Sequence, residues 1–344
     1  MDPNERRFGM QIKRVIFPKE GEVAVERNEA TLEATAGEVV VRTLYSCVSA
    51  GTELAKLTGE QVVEYPFVPG NRAVGEVMSV GAGVTRVKPG DVIFTHAPHV
   101  SHAKEKRFMV PVPGGVRLDH AATLGMSLVS ITALRQGKPE LGDWAVVFGT
   151  GMVGNFCAQL YALSGAEVVA VDVSPARLEV ARQCGIPHVV DATGGDVVGQ
   201  ILRLTEGRGA EFVVEATGEP SVFDTASSVA KRGGEVILLG SPRRELQCNL
   251  TPVLQKVHLW RDHGALTLKG AHEWRYPLYE DAWAKHSLER NAKVILRLMQ
   301  QERLQVAPLV SHVLPPEDAA RAFEGLLTDK AAWTGVVFDW TASK

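Results

Sequence analysis

Three glycines and one acid stand at a spacing suited to holding phosphate and ribose. Residues 144–172 read WAVVFGTGMVGNFCAQLYALSGAEVVAVD. An apolar run ends in Gly149-x-Gly151-x-x-Gly154, an amphipathic run and a second apolar run follow, and Asp172 closes the segment. In such a strand–turn–helix, Gly149 permits the tight turn, Gly151 lets the backbone approach a pyrophosphate, and Gly154 lets the helix lie close on the sheet. The helix N-terminus offers free N–H groups to anionic phosphate, here from Thr150, Met152 and Val153. Asp172, 18 residues beyond Gly154, can accept hydrogen bonds from both hydroxyls of a ribose and would repel a 2′-phosphate. The predicted chemistry is binding of a nicotinamide-type dinucleotide, NAD in preference to NADP. The bland alternative is a glycine turn in an α/β unit that binds nothing.

The elements around this turn fall into two textures. Up to about residue 120, short β patterns such as Glu38–Tyr45, Ala73–Val80 and Asp91–His96 are punctuated by Gly81-Ala82-Gly83 and Lys88-Pro89-Gly90. Many short strands at this spacing predict a small barrel or sandwich. Beyond residue 120, strands alternate with helices: Ala145–Phe148, Glu167–Val171, His188–Asp191, Glu211–Glu215, Glu235–Leu239 and Leu266–Lys269. Val153, Phe156, Cys157, Leu160 and Tyr161 recur at helical spacing, and Gly165 is placed to end that helix. Six strands with right-handed crossovers predict a doubly wound parallel sheet. After Gly270 the pattern predicts a tryptophan-bearing helix, a strand region over Leu304–Leu314, a helix from Pro316 and a closing strand Gly335–Asp339 that returns to the first domain.

With 344 residues, 45% of them hydrophobic, the chain can bury two domain cores. A net charge of −3 and scattered basic residues give no footprint for nucleic acid or an anionic membrane. Cys47, Cys157, Cys184 and Cys248 are far apart and form no CxxC pair, which suits reduced thiols. The N-terminal residues are polar where a signal peptide needs an apolar core, and no stretch approaches the roughly 18 apolar residues of a membrane span. The expectation is a cytoplasmic protein.

The chain resembles the medium-chain dehydrogenase/reductase superfamily, the zinc alcohol dehydrogenases and their relatives. Val68–Gly90 followed by Asp91 is similar to that family's barrel signature, Gly149–Gly154 to its cofactor turn, and Val214–Gly218 and Gly233–Gly240 to its later nucleotide-facing loops. Val310–Pro315 and Ala322-Phe323 resemble its C-terminal return. Ser49–Glu53 (SAGTE) most resembles a branch that includes bacteriochlorophyllide dehydrogenase-like proteins. The resemblance implies a GroES-like β-barrel catalytic domain over residues 1–127 and 272–344, and a six-stranded Rossmann domain over 128–271. It implies a substrate cleft between them and a homodimer. It also implies that Ala216, Thr217, Gly218, Leu239, Gly240, Ser241 and Ser130 line the nicotinamide half, with Arg177 near the adenine.

The family's catalytic metal site is missing its donors. The positions of its cysteine, histidine and third ligand fall on Ala50, Asn71 and Met126, and residues 91–120 hold no cysteine for a structural zinc. Alanine has no donor atom, and asparagine and methionine are not usual zinc ligands. The expectation is no metal, so fixed donors must take over the polarising role. Thr52 falls where the family keeps a proton-relay hydroxyl, or it caps a local turn. Arg72, held by Glu53, could stand in for the cation, or the two could form a salt bridge filling the vacated pocket. His96, His99 and His102 stand at intervals of three. Pro98 and strand alternation argue against one metal face, and His99 or His102 is a candidate proton donor on a loop over the cleft. Cys47 is read as a buried thiol. Trp260, Trp274 and Trp283, with Arg275 and Tyr276, suggest a bulky substrate or a subunit contact.

The favoured function is a zinc-independent NAD(P)-dependent oxidoreductase acting on an alcohol/ketone pair. A reductase of activated C=C bonds or quinones is the second reading, and a catalytically inactive dinucleotide-binding redox sensor the third.

Overall fold

The computed structural model describes residues 10–261 and 263–342. Strands follow the chain as β1 (Met10–Ile16), β2 (Ala24–Ala30), β3 (Val39–Cys47), β4 (Ala73–Val80), β5 (Val92–Thr95), β6 (His102–Glu105) and β7 (Met109–Pro111). Then come β8 (Trp144–Phe148), β9 (Glu167–Asp172), β10 (His188–Asp191), β11 (Ala210–Glu215), β12 (Ala230–Leu238) and β13 (Thr267–Gly270), and finally β14 (His312–Leu314) and β15 (Val336–Asp339). Two compact units result. Of the described residues, one holds those from 10 to 125 with 292–300 and 310–342, the other those within 126–291 with 301–309.

In the first unit, β3 is the spine of a seven-stranded sheet ordered β14-β15-β3-β4-β5-β7, with β6 also on β3. Register shifts at Val40/Val41 and Thr43/Tyr45 bend β3, as bulges do. Val39, Val41, Val77 and Ile93 form one apolar cluster, while Val40 between the first two is buried as well, so β3 is covered on both faces there. A second cluster packs Phe17, Val48, Phe323, Phe338 and Trp340, so the C-terminal segment completes this core.

The second unit carries six parallel strands in the order β10-β9-β8-β11-β12-β13. Order reverses at β8, which lies between β9 and β11 and ends at the glycine turn. Val146, Val169, Val213 and Val236 are fully buried in its core, as strands covered on both faces require. The helix Met152–Leu163 follows the turn, and Gly165 adopts φ +92° just beyond it, the left-handed conformation that a helix end favours. No helix among the described residues is long and apolar enough to cross a membrane.

The region after Gly270 differs from the tryptophan-bearing helix expected there. Only a 3-10 turn forms at Glu273–Arg275, and the long helix starts at Leu288. Pro277 has no N–H and holds Tyr276 extended (φ −110°, ψ 152°). Trp283 sits in a turn in which its own N–H donates to Asp281. Gln136 donates to the Tyr276 hydroxyl and Leu288 N to Pro277 O, so residues 272–291 belong with the Rossmann unit and the return begins at 292. Likewise the strand expected over Leu304–Leu314 is confined to β14, because Pro308 sits in a 3-10 turn, Ala307–Leu309.

Candidate functional site

Gly149 takes φ +86°, and a Cβ there would lie 2.7 Å from Thr217 Cγ2. A Cβ on Gly154 would lie 1.7 Å from Gly149 O, so this helix turn rests directly on the strand-end backbone. Gly151 is different: a Cβ there would meet nothing within 4 Å. Gly151 is also the N-cap of the helix Met152–Leu163, and no side chain caps that terminus. An open space faced by uncapped helical N–H groups fits the pyrophosphate of a dinucleotide.

Asp172 is 5% exposed at the end of β9. Its Oδ2 accepts from Thr150 N (2.7 Å) and Thr150 Oγ1 (3.1 Å), and its Oδ1 from Ser174 N (2.9 Å). The acid therefore shapes the glycine turn, and it takes the Thr150 N–H that was expected to face phosphate. Arg177 Nη1 stands 3.9 Å from Asp172 Oδ2. On the other side of β8, Glu215 ends β11 and is equally buried at 5%. It accepts from Thr217 N (2.7 Å), from the Thr217 hydroxyl and from Gly218 N (3.1 Å). Gly218 (φ +71°) and Gly240 let two backbones meet, since a Cβ on Gly240 would lie 2.1 Å from Gly218 N and one on Gly218 2.6 Å from Ser241 O. Leu239 and Gly240 both donate their N–H to Glu215 O. The loops 216–218 and 239–241 thus form one wall. Sequence reasoning placed Glu215 within the segment Val214–Gly218 but gave it no role. The available signal was its place as an acid closing FVVE, just as Asp172 closes VVAVD.

Ser130 is fully buried and donates toward Met126 O and Val153 O (2.9 and 2.7 Å). It anchors the first turn of the helix Met152–Leu163, and burial leaves its hydroxyl no face for the nicotinamide contact expected of it.

In the first unit, the segment SAGTE opens the helix Ala50–Leu57. Ala50, at the family's cysteine position, packs against the apolar cluster of Val48, Leu57 and Phe338. Thr52 is partly buried in the first turn, its N–H donating to Ser49 O. Glu53 is 3% exposed; its Oε1 accepts from Ser49 N (2.7 Å) and its Oε2 lies 2.9 Å from His99 Nε2. His99 Nδ1 is 2.8 Å from Ser46 Oγ, which accepts from Trp340 Nε1 (2.9 Å). One donor order satisfies the row: Trp340 to Ser46, Ser46 to Nδ1, and Nε2–H to Glu53. Gly70 (φ +97°) makes room for it, since a Cβ there would lie 2.5 Å from His99 N.

Two expectations change here. Glu53 holds His99, not Arg72. His99 is 0% exposed with both ring nitrogens engaged, so it is an internal strut and not a proton donor on an open loop.

Arg72, 5% exposed, donates from Nη1 to Asn71 O (3.0 Å). A Cβ on Gly125 would lie 1.7 Å from Arg72 Cδ, so the arginine stem crosses the backbone just before Met126. Cys47 N donates to Arg72 O, and Ala73 pairs with Thr95, which brings Cys47, Arg72 and His96 into one row at the sheet end. Burial, and next the Glu53 charge, push the Cys47 thiol up to about 12. His96 stacks on Phe108 (4.8 Å between centroids); burial first, then the charges of Arg72 and Arg107, hold its imidazole down to about 3. His102 is half-buried at the start of β6 beside Ser101 Oγ (3.1 Å), with its pKa lowered by burial. The three histidines do not converge, and no group of three His, Cys, Asp or Glu side chains among the described residues could hold a metal ion. The donor set at Ala50, Asn71 and Met126 does not fit zinc. Trp260, Trp274 and Trp283 are 72%, 46% and 96% exposed.

Comparison with known proteins follows the same division. Residues 35–117 match the family model for the alcohol dehydrogenase GroES-like domain, and residues 153–274 that for zinc-binding dehydrogenase. The chain is 26% identical over 226 residues to sorbitol dehydrogenase of Bacillus subtilis (strain 168), covering 56% of this chain and 64% of that enzyme, just under two thirds of its length. It is 26% identical over 332 residues to 2-desacetyl-2-hydroxyethyl bacteriochlorophyllide A dehydrogenase of Cereibacter sphaeroides, covering 90% and 93% of the two chains. Galactitol-1-phosphate dehydrogenase from Escherichia coli shares the fold with a TM-score of 0.82 at 19% identity, over 95% of this chain and 99% of that one.

Proposed function

The chain belongs to the medium-chain dehydrogenase/reductase superfamily, in its alcohol dehydrogenase-like part, and from that premise we propose that it is a zinc-independent, NAD-dependent oxidoreductase of an alcohol/ketone pair. The observation that carries this reading is the contrast between a cofactor turn with every part present and a metal position without donors. The space over Gly151 fits the pyrophosphate and Asp172 fits the ribose. Ala50 and Met126 supply nothing to a zinc ion.

Bound nicotinamide supplies the hydride donor or acceptor. The chain supplies the rest. Asp172, pinned by three donors, sets its charge where a 2′-phosphate would stand, which favours NAD over NADP. Thr52, on the first turn of its helix, carries the hydroxyl that moves the substrate proton. Arg72, its stem fixed across Gly125, offers the guanidinium that stabilises the developing oxyanion in place of a metal. We further propose a cytoplasmic homodimer paired across β13, the edge of the parallel sheet.

Arg72→Ala tests the assignment. Turnover of a secondary alcohol with NAD should fall on the order of a hundredfold, the usual cost of losing an oxyanion donor, while NADH affinity stays within about twofold. Weakened NADH binding or loss of the fold would mark Arg72 as structural.

A further inference from the structure

We propose that Glu215 is a positioning residue of the cofactor site, holding the 216–218 turn so that the nicotinamide half of NAD(P) is bound in register with the adenosine half. The proposal rests on the cofactor reading above and goes beyond it, because it assigns the second end of the site to an acid that contacts no ligand itself.

The topology puts Glu215 there. Phe148, the last residue of β8, pairs with Val171 of β9 on one side and with Glu215 of β11 on the other. Gly149 N donates to Val171 O and Ala216 N to Phe148 O. Two buried acids, Asp172 and Glu215, therefore leave the sheet on either side of the glycine turn at the point where strand order reverses, which is where doubly wound sheets bind ligands. Each acid ties a threonine N–H and hydroxyl and one further N–H: Thr150 and Ser174 for Asp172, Thr217 and Gly218 for Glu215.

The turn that Glu215 ties is wedged between two glycines. Thr217 Cγ2 would lie 2.7 Å from a Cβ on Gly149, and Gly218 N 2.1 Å from one on Gly240. A shift of a few tenths of an ångström at Thr217 is therefore felt at the pyrophosphate turn and at the 239–241 wall together. The residue type also argues for function. Burying a carboxylate is costly unless it is paired or fully hydrogen-bonded, and Glu215 forms no ion pair among the described residues. Its charge is balanced by N–H and O–H donors alone. Filling the same space would not require a carboxylate, whereas drawing two consecutive N–H groups and a hydroxyl onto one side chain does, since an amide would present a donor to one of them.

The test uses the full chain and two ligands, NADH and ADP-ribose, the second lacking the nicotinamide. Glu215→Gln should weaken NADH about tenfold, the loss of one charge-assisted bond, and change ADP-ribose by less than about twofold, with the thermal midpoint within a few degrees of the parent. Thr217→Val, which removes only the hydroxyl arm, should shift the same NADH to ADP-ribose ratio in the same direction by about threefold. Equal losses for both ligands in both variants, or no loss for either ligand, would overturn the proposal. Unsubstituted protein that binds ADP-ribose as tightly as NADH would overturn it as well. Unsubstituted protein that binds neither would overturn the cofactor reading and this proposal with it.

Discussion

Asp172 and Glu215, at strand ends of the parallel sheet, and Glu53, on the helix Ala50–Leu57 of the first unit, are all buried carboxylates at 3–5% exposure, and they differ in what they hold. The first two hold backbone N–H groups of turns around β8, next to Gly151, where an added Cβ would meet nothing within 4 Å among the described residues. Glu53 holds His99, which holds Ser46, which holds Trp340, so polar groups there satisfy one another. The lesson is that burial of an acid does not by itself mark a ligand site. What marks it is whether the acid shapes a backbone that still has room beside it. In the first unit the acid ends in a closed row of polar partners, while in the second the acids shape turns beside the open side of Gly151.

The sharpest way to break this contrast is at Gly154. Gly154→Ala would drive a methyl group into Gly149 O, a backbone atom that cannot give way. NADH binding should fall on the order of a hundredfold, as overpacking by a few kcal/mol predicts, measured by fluorescence titration. Preserved affinity would show that the turn has slack.

Next in size is His99→Phe, which keeps the ring volume and strips Glu53 and Ser46 of their partner. Breaking such a buried hydrogen bond to a carboxylate costs about 2 kcal/mol, read as a lower urea midpoint. The folded fraction should bind NADH as before, because the strut serves the first unit alone.

The pH dependence of the first unit follows from His96. Its pKa is held down to about 3 by burial and by Arg72 and Arg107, while the unfolded chain takes up the proton near 6.5. Unfolding therefore becomes easier as pH falls below 6.5 toward 3, and this contribution is fully present above 6.5. The loss at pH 5 is about 2 kcal/mol. Comparing urea unfolding at pH 7 and pH 5 in His96→Phe, which retains a ring against Phe108, should show a flatter profile than the parent. An identical slope would remove His96 from the account.

The smallest expected effect is Asp172→Ser, which should narrow the NAD to NADP preference about tenfold. An unchanged ratio of kcat/KM values would mean the ribose lies elsewhere.

Much of this was legible in the sequence. Val-rich runs ending in Gly149 or Asp172 carry local period and turn chemistry, and β4 and β10 fall on their expected residues. Such signals lie within one strand–turn–helix unit, the range over which periodicity and turn chemistry work. The strut was not legible, because Glu53 and His99 are 46 residues apart and Ser46 and Trp340 are 294 apart. Only the folded sheet brings them together. Glu215 was visible as an acid closing a strand, but its role depends on β11 lying beside β8, which is topology and not pattern. The segment after Gly270 misled because tryptophans and charges at helical intervals do not outweigh a proline that fixes its neighbour extended.

A cofactor end that turns over substrate without a metal at the other end is a measurable property. It is tested most directly by loading the purified protein with excess zinc, desalting it, counting metal per chain, and then assaying a secondary alcohol with NAD before and after chelation. Far less than one zinc per chain and turnover unchanged by the chelator are expected. One tightly held zinc per chain, with turnover that the chelator abolishes and added zinc restores, would contradict that expectation.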